Sequence, residues 1–138
     1  MRKLIASAAL LTMTACAQIP KEEISVKAVS HGTASFYVEG SMTASGERYN
    51  KHGLTAAHRT FAFNSKVRVT NLRNNRQTVV RINDYGPASW TGRAIDLSLG
   101  AAKEIDMVNA GVVPVKMELL SGGYMTHVKA KRKRSRRR

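Results

Sequence analysis

The chain has 138 residues, in which 23 Lys and Arg face nine Asp and Glu, so its formal net charge is +14. This length is enough for one domain of ordinary size and too short for several. The single cysteine excludes an internal disulfide framework.

The first sixteen residues have the pattern of an export signal. Two basic residues precede a mostly apolar run over residues 4–13. That run is too short to span a bilayer, which needs about 20 apolar residues, and it fits the core of a signal peptide. The following Thr14-Ala15-Cys16 resembles the end of a bacterial lipobox, in which the cysteine is lipidated and becomes the new N-terminus. We therefore predict a signal peptide over residues 1–15 and a lipid on Cys16.

The segment after the cysteine is expected to be a tether. Residues 16–30 contain Pro20, several charges and few apolar side chains. Ala17 follows the cysteine where Asp would indicate retention at the inner membrane. By the sorting pattern of bacterial lipoproteins, the sequence predicts a protein anchored in the outer membrane and facing the periplasm.

Residues 31–121 carry the pattern of one mainly β domain without internal repeats. Pro114 is expected to place the start of the last strand at an edge or bulge. Ser98 predicts the N-cap of a single short helix, and Gly111 lies just beyond its predicted end. Many short strands and one helix indicate a closed or nearly closed β-barrel. Strand composition or period-two alternation marks residues 33–38, 66–70, 78–83 and 112–120.

The positive charge is concentrated at the C-terminal end. Eight of the basic residues lie between Lys129 and Arg138, and residues 17–128 hold thirteen bases and nine acids. Like charges without apolar residues do not fold, so residues 122–138 are predicted to form a disordered tail. Such a run can bind nucleic acid, but the export signal argues against that partner. We expect an anionic envelope polymer or lipid to bind the tail, the alternative being a solvated tail with no specific partner.

Three of the nine acids are candidates for chemistry, because the other six are expected to be solvated surface charges. Asp84 ends the strand of Val80 and Ile82, and alternation puts it on their buried face. Burial there would raise the pKa of Asp84, as a general acid requires. The alternative is an Asx-type cap on the Tyr85-Gly86-Pro87 turn. Glu47 lies in a loop, and Asp96 alternates with apolar neighbours and could simply orient the helix start.

Six segments together resemble the rare lipoprotein A family of septal lytic transglycosylases. They occur in the family's order between Gly32 and Leu120: residues 32–37, 43–47, 54–60, 67–71, 83–87 and 93–98. The resemblance implies a double-psi β-barrel with one short helix. It also implies cleavage of the β-1,4 bond between N-acetylmuramic acid and N-acetylglucosamine in peptidoglycan, with formation of a 1,6-anhydro end.

The family's functional positions match Glu47, His58 and Asp84. The resemblance implies that Asp84 is the acid and base, and that Glu47 and His58 position the substrate or tune that carboxyl. Asn50, Tyr85 and Asp96 are expected to contact substrate. Asn50 stands where the family often has Asp, and Tyr85 where it often has Arg.

No metal and no cofactor are expected, because the four His residues lack the spacing of a zinc site. The glycan strands of peptidoglycan are the expected partner, and strands without stem peptides are the favoured form. The alternative functions are a lipoprotein that binds glycan without cleaving it and an envelope scaffold held at the wall by the lipid and the tail.

Overall fold

The computed structural model of the protein describes residues 23–126. The predicted signal peptide, the lipidation site Cys16 and the basic run from Lys129 to Arg138 lie outside these residues. Within residues 23–126, no helix has the length and apolar character needed to cross a membrane.

Six strands and one short α-helix form the described fold. They are β1 (Ala28–Tyr37), β2 (Thr55–His58), β3 (Lys66–Asn71), β4 (Gln77–Asp84), β5 (Ile95–Ser98), α1 (Leu99–Glu104) and β6 (Val113–Ser121). The strands close into a barrel in the order β1, β5, β2, β4, β3, β6. The pairs β1–β5 and β2–β4 are parallel, and the other four pairs are antiparallel. The predicted mainly β barrel with one helix is confirmed.

The barrel interior is filled by the alternate side chains of its strands. Burying one such aliphatic side chain stabilises the fold by roughly 1.5–3 kcal/mol. The helix covers one side of this core with Ala101 and Ala102, and Ile105 and Met107 follow it into the interior. The fully buried strand residues include Val67, Val69, Val80, Ile82, Ile95, Leu97 and Val115.

The first strand begins earlier than predicted. Residues from Ala28 to Thr33, half of which were assigned to the tether, pair with β6 from Leu119 to Pro114. Val29, Ser30 and His31 are exposed, so this part of β1 is held by backbone hydrogen bonds and shows no apolar alternation.

The C-terminal boundary also differs from the prediction. Gly123 and Met125 exchange backbone hydrogen bonds with the segment after β2: Ala62 N–H donates to Gly123 O at 2.8 Å, and Met125 N–H donates to Thr60 O at 2.9 Å. Residues 122–126 therefore belong to the folded domain, and not to the tail as predicted.

The predicted N-cap of the helix is confirmed, because Ser98 Oγ accepts a hydrogen bond from Ala101 N–H. The helix ends at Glu104, well before Gly111, because Asp106 adopts a left-handed conformation with φ of 51°. The strand β6 pairs with β1 from Val113 but with β3 only from Val115, so Pro114 is in a ladder on one side alone, as expected for an edge position at the start of the strand. The ladder with β3 stops at Pro114, where Leu72 N–H donates to the proline carbonyl.

Glu118 was expected on the surface, but it is 7% exposed. Its carboxylate contacts Arg68 Nη2 at 2.5 Å and Lys116 Nζ at 2.9 Å. The hydrogen bonds from these two cations lower the pKa of Glu118. Glu118 therefore forms an ion-paired cluster with Arg68 and Lys116 on β3 and β6.

Candidate active site

Two aspartates lie on one rung of the barrel, two strands apart. Ser35 of β1 pairs with Asp96 of β5, Asp96 pairs with Ala57 of β2, and Ala57 pairs with Asp84 of β4. At the usual strand spacing, the Cα atoms of Asp84 and Asp96 are roughly 10 Å apart. Ala57, which lies between them, is buried and has a small side chain.

The face of Asp84 differs from the prediction. The register of β2 and β4 shifts between Ala56 and Ala57, so that Ala56 pairs with Ile82 and Ala57 with Asp84. This bulge breaks the period-two alternation. Asn83 is the buried residue at this end of β4, whereas Asp84 is half-buried. Asp84 therefore does not share the apolar surroundings of Val80 and Ile82.

The two oxygens of Asp84 have different environments. Its Oδ1 accepts hydrogen bonds from Ala44 N–H at 2.8 Å and from Tyr85 N–H at 2.9 Å. Its Oδ2 makes no hydrogen bond with any residue between 23 and 126. Asp84 thus accepts from the next residue of the turn, and not from the N–H two residues on as an Asx-type cap would, and its second oxygen is available to a ligand.

Glu47 is held as an ionised carboxylate. Arg81 binds both of its oxygens, at 2.6 and 2.7 Å, and Asn83 Nδ2 donates to Oε2 at 3.3 Å. The hydrogen bonds from Arg81, followed by that from Asn83, lower the pKa of Glu47 to about 2. Glu47 is therefore not a proton donor near neutral pH.

Glu47 instead fixes the loop that contacts Asp84. Thr43 N–H donates to Glu47 O at 2.8 Å, and Ser45 N–H donates to Asn83 O at 3.2 Å. The bidentate pair with Arg81 thus ties one end of this loop to β4. Ala44, between the two backbone bonds, is the residue whose N–H reaches Asp84.

His58 is buried at the end of β2, and its ring is neutral near pH 7. Its Nδ1 lies 3.1 Å from the backbone nitrogens of both Thr60 and Phe61 and accepts their hydrogens. Burial, with a smaller contribution from the charge of Arg59, lowers the pKa of His58 to about 4. Because Nδ1 is an acceptor, Nε2 carries the hydrogen and is a donor. Within the part of the chain described here, no hydrogen bond joins His58 to Asp84 or Glu47.

Asp96 and Asn50 have different surroundings. Asp96 is half-buried, and its Oδ1 accepts a hydrogen bond from Ser35 Oγ. Asn50 is exposed in the turn before β2, where its Oδ1 accepts from His52 N–H at 3.0 Å. It borders a separate cavity of about 430 Å³ together with Tyr49 and Lys51. Asp96 therefore joins Asp84 on the rung, whereas Asn50 does not.

Tyr37 was missed as a site residue by the sequence analysis. Its phenol oxygen is buried and has no hydrogen-bond partner among the described residues. Burial is the main reason why the pKa of Tyr37 is raised, followed by the charges of Asp84, Tyr49 and Asp96. The phenol therefore lies near both aspartates. Period-two alternation from Ser35 was the signal that could have identified it.

Arg59 fixes the loop that follows Asp84. Its Nη1 donates to the carbonyl oxygens of Pro87 and Arg93, both at 2.8 Å. Tyr85 and Trp90 lie in this loop and are 56% and 88% exposed. The site thus combines two aspartates and a neutral histidine, and the exposed Tyr85 directly follows Asp84. The described His, Cys, Asp and Glu side chains include no group of three that could hold a metal ion.

The chain is similar to known proteins over this region. A probable endolytic peptidoglycan transglycosylase RlpA of Nostoc is 50% identical over 101 residues, which cover 70% of this chain and 27% of the relative. The endolytic peptidoglycan transglycosylase RlpA of Campylobacter jejuni is 47% identical over 103 residues, covering 72% of this chain and 37% of the relative. The chain therefore spans only about a third of the length of these relatives.

Two solved structures share the fold at low sequence identity. The Streptomyces papain inhibitor is 19% identical, with a TM-score of 0.58 over 72% of this chain and all of the inhibitor. The apo form of the Clavibacter michiganensis expansin is 18% identical, with a TM-score of 0.54 over 68% of this chain and 51% of the expansin.

The family model described as "Lytic transglycolase" matches residues 29–117. The predicted double-psi barrel is confirmed by this match and by the likeness to the two solved structures. Since this match covers more than half of the chain, the protein belongs to the lytic transglycolase family, the family of the rare lipoprotein A proteins.

Proposed function

We propose that this protein is an endolytic peptidoglycan lytic transglycosylase that cleaves the β-1,4 bond between N-acetylmuramic acid and N-acetylglucosamine. Membership of the family and the names of relatives that are about 50% identical support this activity. The observation that carries the proposal is the rung that Asp84, with one oxygen available, shares with Asp96 on either side of Ala57. Strands without stem peptides are the proposed preferred substrate.

In the proposed reaction Asp84 acts first as an acid and then as a base. Its carboxyl donates a proton to the glycosidic oxygen as the bond to the muramyl anomeric carbon breaks. The muramyl 6-hydroxyl then attacks that carbon and gives its proton to Asp84, so the carboxyl is regenerated without water. One carboxyl performs both transfers, and the spacing rule for paired hydrolase carboxylates does not apply. The free Oδ2 is the atom through which the proton would move.

The other site residues have separate proposed roles. Glu47, paired with Arg81, positions the loop whose Ala44 N–H binds Asp84. His58 offers its Nε2–H to a sugar oxygen, because the ring stays neutral at working pH. Asp96 accepts hydrogen bonds from sugar hydroxyls next to Ser35.

Tyr85 and Asn50 are proposed to contact other parts of the strand. Tyr85 follows Asp84 directly and is exposed. Asn50 borders the separate cavity beside Tyr49, so a longer glycan would be needed to reach it.

The proposed location is the periplasmic face of the outer membrane. The signal pattern and Cys16 support lipid anchoring. The eight basic residues between Lys129 and Arg138 support binding of the tail to anionic lipid or wall polymer.

Digestion of purified peptidoglycan tests the activity directly. Mass spectrometry should detect 1,6-anhydro-muramyl products from the wild type, with more product from strands stripped of stem peptides. Asp84→Asn should abolish them, because it removes the titrating group but keeps an oxygen for Ala44 and Tyr85 N–H. Circular dichroism should show that this variant is folded. Glycan binding by the wild type without anhydro products would favour the non-catalytic alternative.

A further inference from the structure

An apolar cavity of about 480 Å³ opens beside the residue that follows Asp84. Its volume is within the range of roughly 300–1,000 Å³ for small-molecule sites. None of its lining side chains carries a formal charge, although the domain is basic. The lining residues are Ala62, Phe63, Tyr85, Tyr124, Met125 and Thr126.

The wall that carries Tyr124 is fixed to the barrel. Backbone hydrogen bonds on either side of Tyr124 join Gly123 to Ala62 and Met125 to Thr60. The ring of Tyr124 packs on Phe61, with their centroids 5.5 Å apart. The cavity is thus largely formed before a ligand binds, and a preformed site loses less entropy on binding.

Two of the lining residues connect the cavity to the candidate active site. Tyr85 is covalently next to Asp84, and its backbone N–H binds the Asp84 carboxylate. On the other side, Tyr124 packs on Phe61, and Phe61 stacks on His58 with centroids 4.0 Å apart. A ligand that fills the cavity therefore contacts the residue next to Asp84, and the rings of Tyr124 and Phe61 separate it from His58.

We propose that this cavity is a subsite for an N-acetylglucosamine residue of the glycan strand, held against the rings of Tyr85 and Tyr124. The inference rests on the proposed function, because that function brings a glycan to Asp84. A pyranose ring has a flat C–H face, which suits an aromatic wall, and hydroxyl edges, which suit the tyrosine and Thr126 hydroxyls.

Charge selects this sugar over its neighbour in the strand. N-acetylglucosamine is neutral, whereas N-acetylmuramic acid carries a lactyl carboxylate or a stem peptide. Placing a carboxylate in an apolar cavity without a cation removes it from water with no compensating partner. The lining residues include no Lys or Arg. The neutral sugar is therefore the occupant.

Binding of neutral sugar oligomers tests the subsite separately from catalysis. The protein carrying Asp84→Asn is titrated by calorimetry with a soluble N-acetylglucosamine oligomer, so that no turnover disturbs the measurement. Adding Tyr85→Ala should raise the dissociation constant of the oligomer roughly tenfold, as expected for loss of one stacked aromatic ring. Tyr85→Phe keeps the ring and should restore most of the affinity. Since Tyr85 is exposed, both variants should fold, and circular dichroism checks this.

Trp90→Ala is the matched control. It removes an exposed aromatic ring from the same loop, but Trp90 does not line the cavity. The affinity of the Trp90→Ala variant for the oligomer should stay within about twofold of that of the protein carrying Asp84→Asn alone. An equal loss in the Trp90 and Tyr85 variants would overturn the subsite, because the effect would then belong to the loop as a whole.

Kinetics on soluble glycan strands separate the two proposals. With Asp84 intact, Tyr85→Ala should raise KM about tenfold and change kcat little. Normal anhydro-product release with unchanged KM and unchanged oligomer affinity would overturn the subsite and leave the transglycosylase activity standing. Absence of anhydro products from the wild type would overturn the activity, while Tyr85-dependent oligomer binding would still support the subsite.

Discussion

The buried histidine at the end of β2 makes the stability of the barrel depend on pH. The pKa of His58 is about 4 in the folded protein, against an ordinary value of 6.5. Between these values the unfolded chain binds a proton that the folded protein does not bind. The free energy of unfolding therefore falls as the pH drops below 6.5, and this fall ends near pH 4. Between the two pKa values, the free energy of unfolding changes by about 1.4 kcal/mol per pH unit. The loss of stability at pH 4 relative to pH 7 is therefore about 3 kcal/mol.

Urea unfolding at several values between pH 4 and pH 7 measures this loss. The comparison is with His58→Asn, whose amide oxygen can accept a backbone hydrogen but does not titrate. Carboxylates such as Glu47 and Glu118 contribute equally to both proteins, so the difference between the two pH profiles isolates His58. The wild type should lose about 3 kcal/mol more than the variant over this range. Parallel profiles would refute the neutral, buried state of His58.

Three further predictions concern the loop, the lipid and the tail. Glu47→Gln should lower kcat roughly 10- to 100-fold with little change in glycan affinity, because it weakens the Arg81 pair and loosens the loop that binds Asp84. Arg81→Ala should have the same effect. Unchanged kinetics in both variants would leave Glu47 as a surface charge. Cys16→Ser should move the protein from the membrane fraction to the soluble fraction, and unchanged sedimentation would argue against the lipid anchor. Deleting Lys129 to Arg138 should reduce co-sedimentation with anionic vesicles and peptidoglycan sacculi. Binding of the intact protein should weaken with salt, because exposed charges are screened within about 8 Å. Equal, salt-insensitive binding by both forms would place recognition in the barrel.

The longer strands and the helix N-cap could be predicted because each has a local signal. Val67 and Val69 alternate with polar residues, and the Ser98 side chain caps its own helix. The short strands β2 and β5 could not be predicted in this way. Each has four residues, and both are formed by pairing with distant segments.

The environment of the candidate site was harder to predict than its residues. The bulge opposite Ala57 changes the face of Asp84, and a shift of register between two strands leaves no mark in either strand alone. Glu47 is ionised because Arg81, 34 positions away, reaches it from β4. Tyr124 borders the apolar cavity because a β-bridge pairs it with Phe61, although the sequence composition around Tyr124 is typical of a tail.

Pairing of the first strand with the last has a consequence for the order in which the protein can fold. Ala28 pairs with Leu119, so the barrel cannot close before nearly the whole domain is available. Contacts between such distant segments make folding slow, because a long loop must be closed before they form. A chain that emerges from its N-terminus, whether from the ribosome or from an export channel, therefore stays unfolded until β6 has appeared. A chain interrupted before residue 113 therefore has no barrel, and the proposed export would have to be complete before the barrel can close.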